Sequence, residues 1–521
     1  MRISTAQYYE TTAANYQRGY NDTLKTSAEA SSLVKVNTAA DDPAGAARLL
    51  QLGQQSAALT QYATNISSLK GSYSQSETAL TSIQSAMQRA RELALAANNG
   101  TQTDADRQAS AQELSQVQQT ILGLMNSQDS SGNYVFGGSK TNTPPYTANS
   151  DGTYSYNGDQ SQLNLAIGEN NSVPSNITGW EAFQQSINTA RTQSTMTAPA
   201  VDDGRVTLSN GQVSNSATYD AKFSGGQPYT ISFLSSTQIK ITDAGGTDVT
   251  AEASQNGVIS NSNGANQTVS FRGVDLGLNI NLKPGDVPDP VIAGHTFTLA
   301  AQPDTFNTSR SAGNPSVAVV TAATTTNAAA YNSTFPAGGA ILKFTSATAY
   351  DLYAAPISAS SRPVSSGVMA GSTATAAGVS LTFGGAPAAG DQFVVQPNNH
   401  QTQNILDTLN QMVTALNTPA DGNPVAQQKL LASMTAGINN ITSAMNQAGS
   451  AVTSIGSRGQ ALDDQSATNQ SLVLANTSSQ SAIRDSDPAA VMTRLTLQQT
   501  MLQAAQLAFS KINQLGLFNK I

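Results

Sequence analysis

Residues 59–87 read LTQYATNISSLKGSYSQSETALTSIQSAM, and their apolar side chains recur at alternating steps of three and four residues. Only Ser76 interrupts this apolar series. A period of about 3.5 residues keeps one narrow stripe turned toward a partner helix, so the pattern predicts a long helix of the coiled-coil type. The members of this first seam are Tyr62, Ile66, Leu69, Tyr73, Leu80, Ile83 and Met87.

A second seam with the same alternation runs from Met434 to Leu462, near the other end of the chain. Seams of one period pack against each other in supercoiled helices. We therefore expect the N- and C-terminal arms to lie side by side, as a rod from which the middle of the chain departs. The members of the second seam are Ile438, Ile441, Met445, Val452, Ile455 and Leu462.

The middle of the chain has a different period. Between about residues 197 and 398 it is rich in Gly, Thr, Ser and Asn, and apolar residues alternate with polar ones, as in Tyr229–Phe233 and Val379–Phe383. Such alternation between glycine-rich turns predicts strands. The predicted fold class is therefore α+β and multidomain: a coiled-coil-like helical bundle formed by both termini, with an inserted all-β region.

The β-rich insert carries a repeated pattern. The spacing N-x-A-x-Y-x-x-x-F begins at Asn215 and again at Asn327, and both copies continue into a Gly-Gly pair. Ala293–Phe297 and Ala389–Phe393 share a further A-G-x-x-F spacing in the same order. We therefore predict two tandem β modules, with chance similarity in a low-complexity sequence as the alternative.

These patterns divide the chain into four predicted regions. The two ends have weak apolar faces, so we expect them to be disordered in the monomer and to order on assembly. The regions are a terminal helical core domain (1–40 plus 485–521), the helical bundle with β-hairpins (41–196 plus 399–484), β module 1 (197–310) and β module 2 (311–398).

Two glycine-bounded runs in the bundle region, Asn133–Gly138 and Gly152–Gly158, predict β-hairpins. Trp180 is the only tryptophan of the chain. Because large aromatic side chains are usually buried, we interpret it as a core anchor beneath the hairpins rather than as a binding residue.

The composition is low in charge and in aromatic residues, at 11% and 6%. Small neutral side chains suit repeated contacts between copies of one subunit, and a generally polar surface explains them equally well. The formal net charge of −8 and the absence of a basic cluster argue against nucleic acid as a partner. No stretch approaches the roughly 20 apolar residues of a membrane span, and residues 1–20 lack the apolar core of a signal peptide.

The residues that usually carry chemistry are sparse. The chain has no cysteine, which excludes disulfides and thiolate catalysis. His295 and His400 have no second ligand at helical spacing, so structural roles are favoured over metal binding. The paired acids at Asp41 and Asp463 are each followed directly by a second aspartate, whose side chain diverges by about 100° on a helix. We therefore predict no enzyme, no cofactor and no metal site, and leave calcium binding by the β insert open.

The two ends of the chain resemble the bacterial flagellin superfamily. The resemblance rests on Met1–Thr5, Ala40–Ala44, the stretch GNYVFGGSKTNTPPY at 132–146, and the end from Leu495 to Ile521. It covers about residues 1–185 and 400–521, and leaves most of the β insert outside. The Tyr-Val-Phe-Gly-Gly stretch and the Leu-Phe-Asn ending favour the subunits that join hook to filament over flagellin itself.

This resemblance implies a secreted structural subunit of the extracellular flagellum, at the hook–filament junction. It implies type III export, an export chaperone on the C-terminal region, and self-association in a ring. The implied neighbours are hook-associated protein 1 and flagellin. The alternatives are a flagellin filament subunit and, from another class, a secreted adhesin or glycan-binding protein that displays the β insert.

The last helix carries apolar residues on two faces, which suits a tubular inner core, a chaperone complex or intramolecular packing. One face steps by four and three residues, and Leu497 and Met501 belong to the other. We assign the subunit interface to the C-terminal segment. Its predicted residues are Leu495, Leu502, Phe509, Ile512, Leu515, Leu517 and Phe518.

Overall fold

The computed structural model of the chain describes residues 5–99, 102–149 and 152–518. The helices are α1 (Thr5–Ser32), α2 (Pro43–Ala97), α3 (Asp104–Met125), α4 (Ser216–Thr218), α5 (Pro288–Ile292), α6 (Ala328–Thr334), α7 (Ile405–Leu416), α8 (Pro424–Arg484) and α9 (Pro488–Phe518). The strands are β1 (Tyr146–Ala148), β2 (Tyr154–Tyr156), β3 (Asn164–Gly168), β4 (Asn171–Pro174), β5 (Thr192–Ala198), β6 (Val206–Leu208), β7 (Gln212–Val213), β8 (Tyr229–Ser235), β9 (Gln238–Thr242), β10 (Gln267–Phe271), β11 (Val274–Ile280), β12 (Thr296–Ala301), β13 (Thr305–Arg310), β14 (Val319–Thr325), β15 (Ala340–Phe344), β16 (Ala349–Ala354), β17 (Ser365–Val368), β18 (Thr373–Ala376), β19 (Val379–Gly384) and β20 (Gln392–Asn398).

The predicted α+β fold class is confirmed, with long terminal helices and a central all-β region. Local signals in the sequence explain where the helices begin. The Asp42 carboxylate accepts a hydrogen bond from the Gly45 amide at 3.0 Å and so caps the start of α2. Thr103 and Asp106 form a reciprocal capping box at the start of α3.

The chain divides into two compact units, one formed by 1–74, 163–175 and 456–521, the other by 75–162 and 176–455. In the first unit, α1 lies along α9, and the start of α2 runs antiparallel to the end of α8. Lys70 pairs with Asp463, and the Asn476 amide donates to the Leu52 carbonyl at 3.0 Å. The hairpin β3–β4 also belongs to this unit.

In the helical part of the second unit, α3 packs against α7. The buried Gln118 amide of α3 donates to the Leu406 carbonyl at 2.8 Å. Arg107 is only 2% exposed, and it pairs with Asp104 and Asp421. These contacts tie the start of α3 to the loop before α8.

The insert forms two β modules, each built from two antiparallel sheets around its own apolar core. In module 1 the sheets are β5-β12-β8-β9 and β10-β11-β6, with β7 also on β11. In module 2 they are β13-β20-β15-β16-β17 and β14-β19-β18. The core of module 1 includes Ile231 and Phe233 from one sheet and Phe271 and Leu276 from the other, so the two sheets pack face to face.

The modules repeat one another in detail, as the spacing of the sequence predicts. Asn215 and Asn327 cap the short helices α4 and α6. Gly273 and Gly378 both have positive φ, and their carbonyls accept from the amides of Asn215 and Asn327 at 3.3 and 3.1 Å. The capping asparagine and the glycine that it contacts therefore have the same local structure in both modules.

The sheets start and end at positions that the sequence did not indicate. The predicted boundary at residue 197 falls inside β5, which pairs with β12 of module 1. The predicted boundary at 310 assigns β13 to module 1, but β13 pairs with β20 of module 2. Edge pairings of this kind depend on contacts distant in sequence, which local alternation does not reveal.

Two further expectations for the bundle region need correction. The segment Asn133–Gly138 is a turn with one isolated bridge, Gln128 to Tyr134, and not a hairpin, whereas β1 and β2 do form one. Trp180 is 37% exposed and is not the core anchor. Phe136 and Phe183 take that place, since both are at most 2% exposed and their rings lie 5.1 Å apart.

Candidate assembly surfaces

The first and last helices form an antiparallel pair within the first unit. The Gln506 amide donates to the Tyr16 hydroxyl at 2.8 Å. Further along, Glu29 forms an ion pair with Arg494 and accepts from the Ser486 hydroxyl at 2.6 Å. Burial opposes the charge of Glu29, but these two partners outweigh it and lower the pKa of the carboxyl below its ordinary value.

A backbone bridge closes the pair at its inner end. Val34 pairs with Asp485 as an isolated β-bridge, and the Ser486 amide donates to the Leu33 carbonyl at 2.9 Å. Nearby, Asp41 forms a 2.9 Å ion pair with Lys25, and this partner together with bonds from Thr38 holds the pKa of Asp41 well below its usual range. The segment between α1 and α2 is therefore fixed to the segment between α8 and α9.

The face of α9 that follows the predicted interface stripe is partly covered within the chain. Val491 is buried, and Leu495, Leu502 and Phe509 are half-buried. A Cβ built on Gly19 of α1 lies 3.8 Å from the Leu502 side chain. The structure thus gives these residues an intramolecular packing role, which is the alternative that the sequence left open. Four predicted interface residues, Ile512, Leu515, Leu517 and Phe518, lie outside the residues whose side chains are described.

The other apolar face of α9 is exposed. Leu497 and Met501, one helical turn apart on this face, are 59% and 63% accessible. Met492 and Leu507 are also exposed, at 54% and 64%, on other sides of the helix. Tyr20 and Leu24 of α1 are also about half exposed, at 48% and 52%. Leu497 and Met501 belong to the second stripe of the sequence, and the choice between the two stripes required knowing which one α1 covers.

The seam residues of the long helices are mostly enclosed. The buried members are Ile66, Leu69, Tyr73, Leu80, Ile83, Met87, Ile441, Ile455 and Leu462, and the half-buried members are Tyr62, Ile438, Met445 and Val452. Hydrogen bonds reinforce the seam within the first unit, where the Tyr73 hydroxyl donates to the Pro174 carbonyl and anchors the hairpin β3–β4. These residues support the helical scaffold.

Both histidines have structural partners. His295 is 3% exposed, with one ring nitrogen 2.9 Å from the Ile292 carbonyl and the other 3.2 Å from the Asp203 carboxylate. The His400 ring lies 3.0 Å from the Pro303 carbonyl. Among the described residues, no group of three or more metal-ligating side chains occurs. In the same part of the chain, no helix is both long and apolar enough to span a bilayer.

The terminal helices match a known pair of protein regions. Residues 3–141 match the bacterial flagellin N-terminal helical region, and residues 438–519 match the bacterial flagellin C-terminal helical region. Both ends of the chain are therefore similar to the terminal helical regions of bacterial flagellin. This confirms the resemblance that the sequence indicates, and the matched residues include α1, α2, α3 and α9 with most of α8.

Curated relatives of this flagellin-like chain share one name. Flagellar hook-associated protein 3 of Salmonella typhimurium is 29% identical over 183 residues, covering 35% of this chain and 57% of that protein. The protein of the same name from Escherichia coli is 30% identical over 147 residues, covering 28% of this chain and 46% of that one. The chain thus spans about half the length of the curated relatives that it matches.

A solved structure supports the architecture. The crystal structure of flagellar hook-associated protein 3 from Legionella pneumophila aligns with a TM-score of 0.51 at 17% identity. The alignment covers 82% of this chain and 96% of that chain. The two proteins share a fold.

Proposed function

We propose that this flagellin-like chain is a non-enzymatic structural subunit of the bacterial flagellum that joins the hook to the filament. The shared name of the curated relatives supports the junction role over that of a filament subunit. The match to both terminal regions of flagellin supports assembly through the paired ends of the chain.

The observation that carries the proposal is the apolar face of the α1–α9 pair. Leu497 and Met501 share one face of α9, and each is more than half exposed in the single chain. Burying a side chain of this size stabilises a contact by about 1.5–3 kcal/mol. A helix pair that is closed by specific bonds on one side and apolar on the other is suited to packing against further helices of the same kind.

The proposed neighbours follow from this role. The subunit adds to hook-associated protein 1 on the proximal side, associates with copies of itself in a ring, and receives flagellin on the distal side. Before assembly it is exported through the flagellar type III apparatus, with an export chaperone on the C-terminal region. The apolar face of α9 is the part that a chaperone must shield from water. The working location is extracellular.

Electron microscopy of a strain that lacks the gene tests the junction role. The proposal predicts bare hooks, with flagellin shed into the medium. Loss of the main filament protein itself would identify a flagellin. Intact filaments combined with lost adhesion would identify an adhesin and overturn the proposal. Complementation with the full-length gene controls for effects on neighbouring genes.

A further inference from the structure

A polar groove of about 890 Å³ lies within the second unit. One wall is the outer face of the sheet β10-β11-β6 in module 1, and the other is formed by α7 and the first part of α8. The volume is in the range of small-molecule sites, which occupy about 300–1,000 Å³. The groove is distinct from the terminal helix pair, which belongs to the first unit.

The alternation of the sheet explains why this wall is polar. Along β11, Val274, Leu276 and Leu278 point into the module core. The intervening positions Gly277 and Asn279 therefore lie on the groove side, where Thr207 of β6 is the direct partner of Asn279. Hydroxyl and carboxamide groups thus stand side by side on the sheet.

Part of the hydrogen-bonding capacity of this wall is not used inside the protein. Thr207 is 8% exposed and Asn279 is 5% exposed. Neither Thr207 Oγ1 nor Asn279 Oδ1 has a hydrogen-bond partner among the described residues, and the same holds for Oε1 of Gln428 on the helical wall. Enclosed polar atoms without a partner cost about 1–3 kcal/mol each. These three atoms each expose less than 1 Å², so a ligand bonds to them when their side chains rotate toward the groove.

Module 2 provides an internal comparison. The pair that corresponds to Thr207 and Asn279 is Val319 and Gly384, which are also direct partners across the strands β14 and β19. The position of Gly277 is taken by Thr382 in the repeat. The fold of the module therefore does not require the polar pair. The strand position without a side chain at Gly277 occurs in module 1, which faces α7 and α8, and not in module 2.

We propose that this groove binds a neutral saccharide. Hydroxyl and carboxamide groups both donate and accept, which matches the hydroxyls of a sugar ring. Phosphates and other anions fit poorly, because Lys429 is the one cationic side chain among the lining residues and Asp275 opposes it. The site is independent of the junction role, since it uses none of the residues of the terminal helices.

Binding can be measured on the full-length chain by saturation-transfer NMR and calorimetric titration. The probes are maltotriose, cellotriose, chitotriose and lactose, with sialyllactose as an anionic comparison. The glucose oligomers and the N-acetylated chitotriose are titrated separately, so that the result distinguishes the source of the glycan. We expect saturable binding of at least one neutral probe at millimolar concentration and weaker binding of sialyllactose.

Three variants locate the site. Thr207→Val and Gln428→Met keep the shape of the side chains and remove one polar group from each wall, so each should lower the affinity about 2- to 10-fold. Gly277→Leu fills the groove and should abolish binding. A Cβ at Gly277 meets its nearest atom, Ser209 Oγ, at 3.4 Å, so the substitution is compatible with the fold.

Thr382→Val is the matched control in module 2 and should bind like the unmodified chain. Thermal unfolding of every variant confirms that its modules are folded. The proposal is overturned if no neutral probe saturates the unmodified chain, if folded Gly277→Leu binds as tightly as that chain, or if Thr382→Val weakens binding as much as Thr207→Val.

Discussion

The hydroxyl oxygen of Tyr16 accepts a hydrogen bond from the side-chain amide of Gln506 at 2.8 Å, across 490 residues of chain. Together with the ion pair of Glu29 and Arg494, this contact fixes one side of α9 against α1. The side of α9 that carries Leu497 and Met501 is exposed in the single chain, and we propose it for contacts between subunits.

Charge on the exposed face of α9 should block assembly without unfolding the chain. We expect Leu497→Asp combined with Met501→Asp to leave hooks bare, because two carboxylates in an apolar contact between subunits have no partner there. The secreted variant should keep the circular dichroism of the unmodified protein, since both side chains are solvent-exposed in the single chain. Microscopy of hooks and dichroism of secreted protein are the two measurements.

The matched control for this variant is Gln499→Asp combined with Gln503→Asp. Both glutamines are exposed on α9, and the control adds the same charge. Filaments should form normally with the control. Motility in the Leu497/Met501 variant equal to that of the control would contradict the assigned face.

The pairing of α1 with α9 should loosen in acid. The pKa of Glu29 is lowered below its ordinary value of 4.5 because its hydrogen bonds to Ser486 and Arg494 outweigh the effect of burial. Its contribution to stability is therefore present above pH 4.5 and is lost as the pH falls through the lower folded pKa. Amide hydrogen exchange in α9 should accelerate over that window, relative to the intrinsic rates at each pH.

Glu29→Gln separates this effect from general acid unfolding. The variant should show faster exchange in α9 already at neutral pH and a smaller additional change in acid. Glu10→Gln, on the exposed surface of the same helix, should behave like the unmodified protein. Equal acid sensitivity in Glu29→Gln and the unmodified chain would show that other groups control the pairing.

Local patterns in the sequence predict the helices and strands of this fold better than they predict the tertiary contacts of those elements. The seam predicts a long helix, and α2 spans Pro43–Ala97, because the seam is a local pattern. The repeat of Asn215 and Asn327 is also local, since each side chain caps the helix that follows it. Such features depend on residues a few positions apart, which a single sequence displays.

Features that depend on distant partners were not accessible in this way. Trp180 is exposed because Phe136 and Phe183 already fill the core, and these residues are far apart in sequence. The strand β13 joins module 2 only because β20 pairs with it. The two apolar stripes of α9 are similar in the sequence, and only the position of α1 distinguishes the covered stripe from the exposed one.

The repeated glycines Gly273 and Gly378 should be equally sensitive to substitution. A Cβ at Gly273 would lie 2.6 Å from the Asn215 carbonyl oxygen, and one at Gly378 would crowd the Asn327 carbonyl in the same way. Positive φ adds about 1–2 kcal/mol and overpacking about 1–3 kcal/mol, so each alanine variant should lose roughly 2–5 kcal/mol from its own module. Denaturant unfolding followed by hydrogen exchange of each module measures this.

Gly246→Ala and Gly371→Ala are the controls for this pair. Both glycines have positive φ, but a Cβ there meets nothing within 4 Å. They should cost only the conformational part, about 1–2 kcal/mol. If Gly273→Ala and Gly378→Ala cost no more than these controls, the close approach of the backbone at the two repeated sites is not what stabilises the modules.

Removal of the β insert should leave assembly intact, provided that the cut follows the observed strands. Residues 187 and 402 form a β-bridge, and the Asn188 amide donates to the Gln401 carbonyl at 2.9 Å, so the chain leaves the bundle and returns to it at one place. A deletion of residues 190–399 with a short Gly/Ser linker keeps this bridge. It also keeps the 2.8 Å bond from the Thr189 amide to the Asn440 side chain.

A cut at residues 200–398 is the informative comparison, because it leaves β5 without its partner β12. An unpaired strand exposes its backbone groups and promotes aggregation. We therefore expect the deletion of 190–399 to be exported, helical by circular dichroism and able to cap hooks, and the deletion of 200–398 to be poorly soluble. Bare hooks with an exported and folded 190–399 deletion would mean that the insert carries contacts needed for the junction, and that assembly does not reside in the terminal helices alone.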